Sequence, residues 1–314
     1  MKTSPHKTQT PGPSAGGKAP SYAGTVAGRE GFDPLCILVG DTQKTTWFEF
    51  WRERNVSATP PLVAEIARRA PGFLLHLGDL TARGQSGAHW RHFDRVFRPL
   101  RVAGIPLVPV VGNHEYYGLD VLAFRHYFAR FPFLEKRKWR SFRAGDVGFL
   151  LLDGNFGGLT AAEDRAQREW FARALADLES DPGVRISVLA VHQPPFSNNR
   201  VVGCSPAVRR AFAEPFAASR KALLCVSGHS HAYEHFVEGG VHFVVSGGGG
   251  GPRHALALSG NRRLFRDLYA GPAVRFLHFC ELRTAEGGLR VDVVRMGQDG
   301  AFDVADRFVA TRGG

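Results

Sequence analysis

Five short apolar runs, each ending abruptly in residues able to hold a metal, constrain this chain more than anything else. Leu35 to Gly40 leads into Asp41, and Phe73 to Gly78 into Asp79. Pro106 to Gly112 leads into Asn113, His114 and Glu115. Ile186 to Val191 leads into His192, and Ala222 to Gly228 into His229 and His231. A continuous apolar run of this length reads as a strand buried on both faces. Residues just past the C-terminal end of such a strand sit where open α/β sheets place their ligands. Any one of these ends could equally be a turn with a helix cap; the repetition is what carries weight.

Between the runs the apolar period changes to that of a helix. Leu62, Val63, Ile66, Ala67 and Ala70 are in phase, as are Trp90, Phe93, Val96, Phe97 and Leu100 within Ser86 to Leu100. Asp120 to Phe131 is an aromatic-rich helical stretch, and Glu163 to Leu178 carries Trp170, Phe171, Ala174, Leu175 and Leu178 on one side. Val147 to Leu152 and Val241 to Ser246 read as further strands. Asp153 and Asn155, after the first of these, are read as turn residues. From Val274 the pattern is strands only: Phe276 to Leu282, Leu289 to Met296 and Phe302 to Phe308. These are expected to form an antiparallel second sheet. Strands alternating with helices, followed by strands, define the α/β class with two sheets flanked by helices.

The order Asp, Gly-Asp, Gly-Asn-His-Glu, His, Gly-His-x-His resembles the signature of the calcineurin-like metallophosphoesterases. It runs from Asp41 to His231, most of the chain. Gly228 to Glu234 is most similar to the purple acid phosphatase-like branch. The resemblance implies a four-layer αββα sandwich of two mixed sheets and two divalent metal ions, manganese, iron or zinc. It assigns Asp41, Asp79, His231 and Gln43 to the first metal, and Asp79, Asn113, His192 and His229 to the second, with Asp79 bridging. It also implies hydrolysis of phosphate mono- or diesters by metal-activated hydroxide, with His114 as general acid. Glu115 is the carboxylate expected to orient His114, because a carboxylate can charge and hold an imidazole.

Two positions depart from the family's pattern. Gln43 stands where the family commonly has a histidine. A glutamine oxygen is a neutral ligand that suits a hard cation better than zinc. Gln43 therefore ligates weakly, holds a metal-bound water, or marks an altered first site. Ala82 stands where the branch has a tyrosine that binds ferric iron, so the purple charge-transfer colour is not expected. These departures motivate one rival function, a non-catalytic phospholigand-binding protein with a degraded first site; the net positive charge favours a second, a nuclease-type phosphodiesterase.

Composition narrows the partners. The formal charge of +11 favours anionic ligands through the long-range field. Its arginines are scattered, so nucleic acid is not favoured over a phosphate ester. Lys136, Arg137, Lys138 and Arg140 form the densest basic run and are read as a solvated loop. Trp47, Phe48, Phe50 and Trp51 are expected to pack beneath a loop. Gly247 to Gly251 lacks the sequel of a phosphate-binding P-loop and is read as a tight loop near the metals. Arg253 and His254 beyond it are weak candidates for substrate contact. Cys36 and Cys225 lie inside strand runs, and the four cysteines form no C-x-x-C pair. That usage fits a reducing, cytoplasmic compartment. No run is long enough to span a membrane. Residues 1–31 are rich in Pro, Gly, Ser, Thr and Lys and are expected to be disordered. Residues 32–314 are expected to form the metallophosphoesterase domain.

Overall fold

The computed structural model describes residues 19–24, 26, 36–46 and 52–312. Parallel strands β1 (Cys36–Val39), β2 (Phe73–His76) and β3 (Leu107–Pro109) form one half of the first sheet. The second sheet holds β4 (Arg140–Ala144), β5 (Val147–Leu152), β6 (Ile186–Val191), β7 (Ala222–Ser227), β8 (Tyr233–Glu238) and β9 (Val241–Ser246). Its spatial order is β4-β5-β6-β7-β9-β8, with only the two edge strands antiparallel to their neighbours. The last three strands, β10 (Leu277–Ala285), β11 (Gly288–Met296) and β12 (Phe302–Thr311), return to the first sheet, which runs β12-β11-β10-β1-β2-β3.

This corrects one expectation. The C-terminal strands do not build the second sheet. β10 docks antiparallel on β1, with Leu38 opposite Cys280 and Cys36 opposite Leu282. β1 thereby has a hydrogen-bonded neighbour on each side and presents no open edge.

The alternation along each strand sets the layers. Cys36, Leu38, Phe73 and Leu75 face the second sheet, and Phe149, Leu151, Val188 and Ala190 pack with them in one inter-sheet core. Ile37, Val39, Leu74 and Leu107 point the other way, onto helices α1 (Thr59–Arg68), α2 (Gly87–Val96), α3 (Arg98–Val102) and α4 (Asp120–Arg130). Leu150, Leu189 and Cys225 meet α5 (Ala161–Ser180) and the short helical turns through Pro206–Val208, Arg209–Ala213 and Glu214–Ala217. The result is helix, sheet, sheet, helix, the α/β sandwich expected.

Other differences have local causes. The run from Ser86 to Leu100 is two helices, because Pro99 lies in the first turn of α3 and cannot continue α2. Strands β4 and β8 were not expected. Lys138 and Arg140 are not simply solvated: Lys138 pairs with Glu163 at 2.9 Å and lies over Tyr116 and Phe124, and Arg140 lies over Phe133 and Phe142. Of residues 1–31, most fall outside the described residues. Within that span Tyr22 is buried against Phe93 and Phe131, and its N–H donates to the Arg130 carbonyl at 2.9 Å. Trp47, Phe48, Phe50 and Trp51 lie outside the described residues.

Candidate metal centre

The C-terminal ends of β1, β2, β6 and β7 meet along one rim, and backbone hydrogen bonds stitch them together. Asp41 N–H donates to Gly78 O at 3.0 Å, and Gly228 N–H to His192 O at 3.0 Å. The glycine loop after β9 closes the rim from above, with Gly249 N–H on Gly40 O at 2.9 Å and Gly251 N–H on Asp41 O at 2.8 Å. A Cβ on Gly251 would lie 2.7 Å from His231 Cε1, so only glycine lets this loop come so close. Gly78 is required twice over: its φ is +93°, and a Cβ there would sit 2.5 Å from His192 Nδ1.

Four of the expected ligands sit in left-handed backbone: Asp41 (φ 62°), Asp79 (57°), His229 (67°) and His231 (48°). Non-glycine residues in this region cost of order 1–3 kcal/mol each and persist where the surroundings enforce them. At each, the turn swings the side chain off the strand direction and into the rim.

Two groups of ligand atoms result, each within 4.8 Å: Asp41, Asp79 and His231, and Asp79, His192 and His229. Asp79 belongs to both and is almost fully buried. His192 Nδ1 donates to Leu77 O at 2.7 Å, and His231 Nδ1 to Pro252 O at 2.7 Å. With Nδ1 committed to a carbonyl, each ring turns Nε2 inward, the atom a metal ligand would use. Asn113 Oδ1 lies 3.1 Å from His192 Nε2, while its amide nitrogen donates to Tyr117 Oη at 2.9 Å. His229 N–H donates to Asp41 Oδ2 at 2.8 Å, and its ring meets His192 edge-on.

The donor set fits cations. Asp41 Oδ1 is buried with no hydrogen-bond partner, 3.3 Å from His231 Nε2. A lone pair and a carboxylate oxygen facing each other out of water repel unless positive charge lies between them. The electrostatics agree. Burial opposes charging His192, but the Asp79 carboxylate lifts its pKa to about 10. His229, whose burial is not offset in this way, is held down at about 3. Around Asp79, burial works against the charged carboxylate, yet the imidazoles of His192 and His114 hold it well below the usual carboxylate range.

Gln43 enters the first group. Its amide nitrogen is 3.3 Å from Asp79 Oδ2 and 3.1 Å from His231 Nε2, and its oxygen is buried without a partner. Ala82 is buried and supplies only its carbonyl.

His114 sits at the open side of the centre. Its N–H donates to Asp79 Oδ1 at 2.9 Å, Nδ1 contacts Ala82 O at 2.9 Å, and Nε2 lies 3.7 Å from Asp79 Oδ2. Glu115 does not orient it. The Glu115 carboxylate is turned inward and accepts the backbone N–H groups of Asp79 and Leu80 (both 2.9 Å), Thr81 (3.3 Å) and Gly112 (2.8 Å). It ties the β2 and β3 loops together. The left-handed turn at Asp79 leaves amides without helical or strand partners, and a carboxylate satisfies them.

Sequence reasoning missed Tyr117, which rests its ring 4.4 Å from His114 and holds Asn113. It also missed a buried relay in which Tyr116 Oη donates to Asp153 at 2.5 Å, and Asp153 accepts from Asn155, which contacts Gln193. No spacing announces either. Arg253 is engaged by Glu53 at 2.9 Å, and His254 stacks on His231 at 4.5 Å.

The chain is similar to known proteins in sequence and in fold. Residues 36–233 match the model of the calcineurin-like phosphoesterase family. Purple acid phosphatase 22 of Arabidopsis thaliana is 27% identical over 243 residues, covering 71% of this chain and 51% of that protein. The chain thus spans about half the length of that relative. Among solved structures, a purple acid phosphatase from yellow lupin (Lupinus luteus) seeds shares the fold with a TM-score of 0.67 at 18% identity, covering 87% of this chain and 52% of the other. GAP50, the anchor in the inner membrane complex of Plasmodium, gives 0.65 at 15% identity and 89% coverage of both chains. A dimetal phosphatase from Danio rerio gives 0.58 at 15%, covering 90% and 100%. The chain belongs to the calcineurin-like phosphoesterase family. Among the described residues no helix is long and apolar enough to cross a membrane.

Proposed function

We propose that this protein hydrolyses phosphate esters at a two-metal centre. Asp41, Asp79, His231 and Gln43 would hold one divalent ion, and Asp79, Asn113, His192 and His229 the other. The observation that carries this reading is the pair of ligand groups sharing the buried carboxylate of Asp79. Two bound cations supply Lewis acidity and lower the pKa of a bound water.

The chain's own residues do the rest. Leu77 O and Pro252 O fix the tautomers of His192 and His231. Tyr117 holds the Asn113 amide so that its oxygen faces the centre. His114 is oriented by Ala82 O through Nδ1, which leaves Nε2 toward the open side. Hydrolysis forms a bond from water oxygen to phosphorus and breaks the bond to the ester oxygen. His114 Nε2 gives its proton to that departing oxygen, a role for which an imidazole suits neutral pH.

A second reading has its own observation. The Gln43 amide nitrogen, donating to Asp79 and His231, occupies a position that a metal-ligating histidine would fill. A protein crippled at the first site would bind phospholigands without turning them over.

One assay separates the readings. Hydrolysis of p-nitrophenyl phosphate and of its bis diester is followed with added manganese, with chelator, and in Asp79→Asn. Turnover lost in both controls supports the phosphoesterase. Metal-loaded protein that turns over neither ester supports the binding protein. Preference for the diester supports a nuclease-type activity.

A further inference from the structure

A cavity of about 790 Å³ has none of the expected metal ligands in its lining. Its wall carries Lys44, Arg54, Arg83 and His89 and, among the described residues, no acidic side chain. Lys44 follows Gln43 directly. Arg83 follows Ala82, whose carbonyl contacts His114 at 2.9 Å. His89 in the cavity wall also feels the charge of His114, which puts the cavity on the His114 side of the centre.

Three features mark it as built for negative charge. First, the acid next to Arg54, Glu53, is turned away, engaged by Arg253 at 2.9 Å and by Asn55 at 2.9 Å. Second, the N-terminus of α2 borders the cavity through Ser86 and His89, and its first turn holds no acidic residue. Helix N-termini favour anions. Third, His89 Nδ1 is buried without a hydrogen-bond partner. Burial first, then the charges of Lys44 and Arg83, keep the His89 pKa below its ordinary value. A cleft lined by one sign of charge focuses its field and concentrates counter-ions.

We propose that this cavity is an anion subsite and that the substrates are phosphate esters whose alcohol portion carries a second anionic group, a phosphate or a carboxylate. The scissile phosphoryl group sits at the metals, and the second anion reaches Lys44, Arg54 and Arg83. This rests on the phosphoesterase reading above.

The test compares butyl phosphate, butanediol bisphosphate and 4-phosphooxybutanoate on the metal-loaded protein and on the Lys44→Ala/Arg54→Ala variant. In the parent, kcat/KM for the bisphosphate exceeds that for butyl phosphate by about tenfold or more, through KM, as expected for a charge pair in a partly desolvated cleft. The variant erases that preference and leaves butyl phosphate within about twofold. Whether the carboxylate ester shares the advantage distinguishes a general anion subsite from one selective for phosphoryl groups. No preference in the parent, or equal losses on both esters in the variant, overturns the subsite. If no ester is turned over, the phosphoesterase reading fails separately. Calorimetric binding of butanediol bisphosphate then decides: about tenfold weaker binding in the variant sustains the subsite, and unchanged binding overturns it.

Discussion

The imidazoles of the centre are set by what their far nitrogens touch. His192 and His231 each spend Nδ1–H on a carbonyl, so each presents Nε2 to the centre. His114 lies outside both ligand groups, so its proposed role in proton transfer does not require it to hold a metal. His114→Ala is accordingly expected to keep its metal content while kcat on alkyl phosphates falls by about 10²–10⁴, and less on esters with good leaving groups. Equal activity of variant and parent on an alkyl phosphate would remove His114 from the reaction. Gln43 makes a different prediction. Replacing its neutral amide by imidazole, Gln43→His, should raise affinity for zinc relative to manganese by at least about tenfold, read by competitive metal titration. An unchanged preference would place Gln43 outside the coordination sphere. At this scale the sequence was informative where side chains act through their own chemistry: the Asp, Asn and His positions stand at strand ends in a fixed order. It misled at Glu115, whose neighbour in the chain is His114 but whose partners are backbone amides, three of them in a loop about three dozen residues earlier. Backbone donors leave no mark in residue identity.

The elements matter through their ends. Glu115 accepts amides from the loops after both β2 and β3, so it fixes the spacing of Asp79 and Asn113. Glu115→Ala strands those buried donors and is expected to lower stability by at least about 3 kcal/mol, measured by urea unfolding. A loss under about 1 kcal/mol would show that the tie is dispensable. Near the start of β8, Glu234 is buried and accepts Ser197 Oγ at 2.5 Å and Asn198 N–H at 2.7 Å. Burial pushes its pKa up to about 7, the two hydrogen bonds opposing, from an unfolded value near 4.5. The folded state then binds more protons than the unfolded state between those values, so stability falls as pH rises through that window and levels off above it. Unfolding at pH 5 and pH 8 should differ by up to about 3 kcal/mol more in the parent than in Glu234→Gln. Equal pH dependence in the two would refute the raised pKa. Central strands were legible as unbroken apolar runs. The edges β4 and β8 were not: β4 buries one face only and mixes Arg140 and Arg143 with Phe142, and β8 is buried yet carries Glu234 and His235 in place of an apolar run. The break at Phe97 follows from Pro99, a signal present in the sequence but outweighed there by the helical phase of the aromatic residues.

At the scale of the whole molecule, the centre exists only where the two sheets meet. Asp41, Asp79 and Asn113 come from the first sheet, and His192, His229 and His231 from the second. The inter-sheet core of Leu38, Leu75, Val188 and Val226 holds the two rims in register. The α/β class was legible from alternating periods. The attachment of β10–β12 was not, because antiparallel partners are chosen by burial in the assembled sheet and not by order along the chain. The central claim is that both rims together hold two cations through one shared carboxylate. The most direct measurement is metal content per chain, by elemental analysis after reconstitution with manganese and removal of excess, for the parent and for Asp79→Asn. The account predicts about two equivalents in the parent and a loss of both in the variant. One equivalent or none in the parent, or two retained by Asp79→Asn, would contradict it.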